Sequence, residues 1–69
     1  MTISTEIKIK ENIKKYRIAL NISQEKLSEM AEISTDYISL IERGKRTPSI
    51  KRLCKIAKAL NIEPYLLLK

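Results

Sequence analysis

The chain has 69 residues, with 14 lysines and arginines against 8 acids, one cysteine, one glycine, two prolines and no histidine. That length suits a single domain over residues 1–69, one that buries only roughly 60% of the surface its unfolded form exposes. The lone thiol, Cys54, excludes a disulfide framework and fits a cytoplasmic protein, and the lack of histidine excludes a His-based triad and the common zinc sites.

No apolar run is long enough for a signal peptide or a membrane span. Glu25, Glu29 and Glu32 stand at helical spacings, which solvation of a helix surface explains more simply than acid–base catalysis. No enzyme, cofactor or metal is therefore expected. The net charge of +6 calls for a polyanionic partner, and its distribution is uneven. Residues 1–22 carry +3, residues 23–42 carry −4 and residues 43–69 carry +7.

In chain order, residues 1–5 are polar and expected to fray. From residue 6 to about 20, Ile9, Ile13, Tyr16 and Leu20 recur at steps of three and four, an amphipathic helix. Asn21 and Ile22 end it, with Ile22 in the core. A second helix follows from Gln24 to about Ala31, capped by Ser23, with Leu27, Met30 and Ala31 inward. Glu32 and Ile33 turn the chain. A third helix, capped by Ser34, runs from Thr35 to Glu42 or Arg43 and buries Ile38 and Ile41. Gly44 fits the left-handed position after that helix.

Lys45, Arg46 and Thr47 form a basic loop. Pro48 suits the first turn of a fourth helix, with Thr47 or Ser49 as its cap. Ile50, Leu53, Ile56, Ala57 and Leu60 make its inner face, Asn61 suits its end, and Cys54 falls in the core or at its boundary. A short fifth helix is expected after Pro64. The reading is thus a compact all-α five-helix domain with a pair of short helices at residues 24–43, the unit that fits a helix into a DNA groove.

Ser23-Gln24-Glu25-Lys26-Leu27, Ile33-Ser34, the run from Tyr37 through Ile41-Glu42-Arg43-Gly44-Lys45-Arg46-Thr47-Pro48-Ser49, and Ile56-Ala57-Lys58-Ala59-Leu60 stand in an order that resembles the Cro/phage-repressor (XRE) helix-turn-helix family. The resemblance covers roughly residues 7–68. It implies the phage-repressor type of DNA-binding domain and a transcriptional regulator of repressor or controller type, with double-stranded DNA as partner. Two positions depart from the family pattern. Glu32 stands where glycine is common, and Ser28 where alanine is common.

The resemblance implies that Gln24 binds a DNA phosphate; a solvated first-turn residue is the alternative. By the same pattern Ser34, Thr35, Asp36, Ser39 and Leu40 are candidates to face the groove. Threonine can bond a base or touch a thymine methyl, and aspartate can accept from cytosine, though an acid in a first helical turn is also favoured by the helix dipole. Tyr37 suits a phosphate or the helix edge. Arg43, Lys45 and Arg46 suit a phosphate clamp, whereas Lys51, Arg52, Lys55 and Lys58 suit a solvated face with one or two near DNA. No arginine or lysine lies between Ser34 and Glu42, so the bidentate guanine contact is missing from this helix.

Family members with the Arg17 and Glu42 pair join them by a salt bridge, which the resemblance implies here; the alternative gives Arg17 to a phosphate. Tyr65, Leu66, Leu67 and Leu68 cannot all point inward from one short helix. Exposed, they would form a homodimer interface, placing two recognition helices about 34 Å apart on a palindromic site; a fully tucked tail would leave a monomer. Two other readings stay open. One is an antitoxin-type protein of the same fold with a toxin as protein partner. The other is an interaction module without DNA binding.

Overall fold

The computed structural model describes the backbone of residues 2–69 and the side chains from residue 5 onward. Four α-helices follow one another: α1 (Thr2–Ala19), α2 (Gln24–Ala31), α3 (Thr35–Glu42) and α4 (Ile50–Ala59). The expected fifth helix is a 3₁₀ turn, Pro64–Leu67, too short for an α-helical hydrogen-bond ladder. α1 starts about one turn earlier than expected. Nothing in residues 2–5 breaks a helix, so one nucleated downstream propagates through them; Met1 lies outside the described residues.

The connections share one construction. Ser23, Ser34 and Ser49 each accept a hydrogen bond from the backbone N–H three residues on, at Lys26, Tyr37 and Arg52. At the opposite ends, Asn21, Glu32, Gly44 and Asn61 all take positive φ. After each of these four residues the chain closes the same paired backbone bonds. Ile22 N–H reaches Arg17 O, Ile33 reaches Ser28 O, Lys45 reaches Leu40 O, and Ile62 reaches Ala57 O. These are Schellman closures, which satisfy the last helical carbonyls.

The isoleucine after the left-handed residue then packs on the core at Ile22, Ile33 and Ile62. Ile22 and Ile33 serve twice, since each also precedes the serine cap of the next helix, with buried Leu27 or Ile38 at the staple position. Asn21-Ile22-Ser23 and Glu32-Ile33-Ser34 are thus one connector used twice, a regularity not noticed in the sequence. At Gly44 the isoleucine is replaced by Lys45, and the chain leaves the core for an exposed loop.

Ile9 and Ile13 of α1, Leu27 and Ala31 of α2, Ile38 and Ile41 of α3, Leu53, Ile56 and Ala57 of α4, then Leu60 and Leu67, form one buried cluster. α2 packs on α3 and α4, α1 packs on α3, and the 3₁₀ turn closes against α1 and α4. Five expectations need correcting. Leu20 is 47% exposed because α1 stops at Ala19 and Ile22 takes the core position. Met30 is 43% exposed, since α2 turns Leu27, Ser28 and Ala31 inward instead. Ile50, first residue of α4, is 76% exposed, and Cys54 is exposed on the outer face of the same helix. Pro48 is buried but lies ahead of the Ser49 cap, outside the helix.

The C-terminal apolar run also divides. Leu67 is fully buried in its own chain's core, where the Asn12 side chain donates to its carbonyl at 3.1 Å, so it cannot serve a dimer interface. Leu66 is half-buried, and Tyr65 and Leu68 remain exposed. A 3₁₀ turn repeats every three residues, so it buries one residue and presents its neighbours outward.

Candidate nucleic-acid interface

α2 and α3 are held by a polar network that reaches back to α1. Arg17 Nε donates to Glu42 Oε2 at 2.7 Å and Arg17 Nη2 to Oε1 at 3.0 Å, while Nη1 donates to the Ile22 carbonyl at 2.8 Å. The side chains are 12% and 3% exposed, so this is a bidentate, largely desolvated pair. Gln24 Nε2 donates to the same Oε1 at 3.0 Å. Expected to hold a phosphate, Gln24 thus commits one amide hydrogen to Glu42 and keeps the other for an outside acceptor. Position-by-position reading missed this bond because its partners stand 18 residues apart.

A second link joins α2 to the start of α3. Ser28 donates its hydroxyl to Glu25 O at 2.7 Å, and its oxygen lies 2.8 Å from Thr35 Oγ1. Serine has a single hydroxyl hydrogen, so Thr35 must be the donor to Ser28. Of the hydrogen-bonding capacity expected of Thr35 toward a base, the donor is therefore used internally. A lone pair and the methyl group remain. The clue was in the sequence, as the serine standing where alanine is common.

Ser34 accepts from Tyr37 N–H at 3.1 Å and keeps its own hydrogen to give. Asp36 is exposed in the first turn of α3, and Ser39 and Leu40 are half-buried. The five groove candidates therefore lie on or before one short helix, but with unequal freedom. Tyr37 is half-buried between two guanidinium groups, with Arg52 4.7 Å and Arg46 5.1 Å from its ring centroid. Burial alone would raise its phenol pKa; hydrogen bonds from Arg52 and Arg46, the Arg52 charge and a bond to the Ser49 backbone outweigh it and lower the pKa. Arg52 is exposed, as expected, and its guanidinium also joins this cluster. Arg43 and Lys45 are exposed on the loop after α3. The resulting surface sets net-negative α2 and α3 among basic groups that lie behind and beside them.

Comparison with known proteins agrees with this geometry. Residues 13–67 match the helix-turn-helix family. Control protein C.SmaI of Serratia marcescens is 41% identical over 51 residues, 74% of this chain but only 61% of that protein. Control protein C.BamHI of Bacillus amyloliquefaciens is 38% identical over 65 residues, covering 93% of this chain and 80% of that one. Among solved structures, the restriction-modification controller protein C.AhdI from Aeromonas hydrophila superposes with a TM-score of 0.86 at 34% identity, over 90% of this chain and 94% of that one. The controller protein C.Esp1396I gives 0.81 at 35% identity, over 87% and 78%. The match runs from the second half of α1 through the 3₁₀ turn, and the chain belongs to the helix-turn-helix family of the Cro/phage-repressor type.

Proposed function

We propose that the chain is a sequence-specific DNA-binding transcriptional regulator of repressor or controller type, acting in the cytoplasm by occupying an operator and not by catalysis. The observation that carries this reading is the presentation of α3. It is fixed to α1 and α2 through the buried Arg17–Glu42–Gln24 network and flanked by Arg43, Lys45 and Arg46. α3 enters the major groove with Asp36, Ser39 and Leu40 toward the bases and the remaining acceptor and methyl of Thr35 beside them. Ser34, with its hydroxyl hydrogen free, also faces the groove, while Gln24, Tyr37 and the basic loop hold phosphates. With no basic side chain on α3 itself, direct readout per half-site is modest, and DNA shape and phosphate contacts contribute the rest.

The chain measures 31 Å along its longest axis and carries one recognition helix. Reading two successive turns of DNA, about 34 Å apart, takes two copies. The exposed Tyr65 and Leu68, with the half-buried Leu66, form the candidate dimer surface, and similarity to restriction-modification controller proteins supports a controller role.

Selection of bound duplexes from a random DNA pool tests the reading. A palindromic consensus is expected. A flat, sequence-independent pool would sink the specific regulator, and absence of any binding at low salt would favour an interaction module.

A further inference from the structure

α1 reaches past the core and meets the loop that follows α3. Ile7, Lys10, Arg43, Gly44, Arg46 and Thr47 line a cleft between them, with Glu6 its one acid. Lys10 lies across Gly44: a Cβ on that glycine would stand 3.1 Å from Lys10 Cδ and 3.7 Å from its Nζ. The φ of +74° favours glycine at position 44, and a Cβ there would press the Lys10 chain outward by a few tenths of an ångström. The contact lays the Lys10 chain over the loop, in a cleft that Arg43 also lines, while the Arg46 guanidinium lies 5.1 Å from the Tyr37 ring centroid. Among the described residues the ion pairs are Arg17–Glu42 and Lys26–Glu29, so none of these three cations has a carboxylate partner. Like charges gathered at one cleft repel unless an anion joins them.

We propose that this cleft is a phosphate seat, in which Lys10 neutralises a DNA backbone phosphate of its own and the Thr47 hydroxyl donates to it, with Arg43 alongside. The inference deepens the DNA-binding reading and rests on it. It extends the footprint from the helix-turn-helix to the N-terminal half of α1, so a chain shortened to residues 13–67 would lack the seat. Lys10 also stands at the C-terminal end of α3, whose last turn carries no basic residue. A purely dipole-compensating lysine would support the helix without touching DNA.

The test separates these roles. Lys10→Met keeps the chain that packs on Gly44 and removes the charge. Lys58→Met removes the same charge from α4, beside Met30 and Ala59 and away from the loop. Binding to a random-sequence duplex is followed by fluorescence anisotropy over a range of salt. For Lys10→Met the slope of log K against log salt should become shallower by about 0.9, the value for one lost phosphate contact. Lys58→Met should keep the wild-type slope, and Glu6→Gln should tighten binding. Equal slopes for Lys10→Met and wild type overturn the seat, whatever happens to thermal stability. So does a Glu6→Gln variant that binds no better than wild type. A wild-type chain that binds no duplex overturns the DNA-binding reading as well.

Discussion

Glu32 occupies a backbone conformation that suits glycine or asparagine, with φ 58° and ψ 44°. Asn21 and Asn61 take the same role with the residue type that tolerates it, and Gly44 does so without a side chain. Glu32→Gly should therefore stabilise the chain by about 1 kcal/mol, and Glu32→Val should destabilise it, as read from urea denaturation midpoints. No gain from glycine would show that the turn holds glutamate without strain. Tyr37 gives a second residue-scale prediction. Its phenol should ionise below the ordinary 10.0, visible as an absorbance step lost in Tyr37→Phe. A lowered pKa favours the folded state only where the phenolate exists. Its contribution is full above the unfolded tyrosine value and fades as pH falls through the lowered one, so Tyr37→Phe should remove a contribution that grows as pH rises.

At the scale of elements, three short connectors and one buried ion pair make separate helices act together. A chain of this length has a total stability of roughly 3–10 kcal/mol. Arg17→Met leaves the Glu42 carboxylate 3% exposed without its charge partner, and should cost about 3–5 kcal/mol. Combining it with Glu42→Leu should recover part of that loss, because the stranded charge goes too. Strictly additive losses in the cycle would mean the two residues do not act as a pair. The Ser28–Thr35 bond links α2 to α3 more locally. Ser28→Ala frees the Thr35 hydroxyl as a donor, so the preferred base opposite Thr35 should broaden in a selection from random duplexes while the fold persists.

For the whole molecule, charge and shape divide the work. The net-negative stretch of residues 23–42 lies between basic flanks, so binding to DNA should weaken steeply as salt rises. Exposed Tyr65 lies on the 3₁₀ turn and exposed Leu68 caps it, both apart from the basic loop in sequence. Leu68→Glu should shift sedimentation toward the monomer and weaken binding to a palindromic operator more than to a single half-site. Equal weakening on both would place Leu68 outside the dimer surface.

What depends on near neighbours was legible along the chain. The periodicity of α1 to α4, the serine caps, the left-handed Gly44, the basic loop and the family motif all follow from residues within a few positions of one another. The 3₁₀ form of the C-terminal turn and the outward Leu20, Met30 and Ile50 escaped that reading, because each depends on where a helix stops relative to the core. Packing between the helices set which polar groups remain available for DNA. Gln24 gives a hydrogen to Glu42, Thr35 gives its hydrogen to Ser28, Arg52 stacks on Tyr37, Lys10 covers Gly44 and Leu67 disappears into the core. A donor or an apolar side chain satisfied inside the fold is no longer free for a partner, and the group that satisfies it is set by packing between elements, not by spacing along the chain.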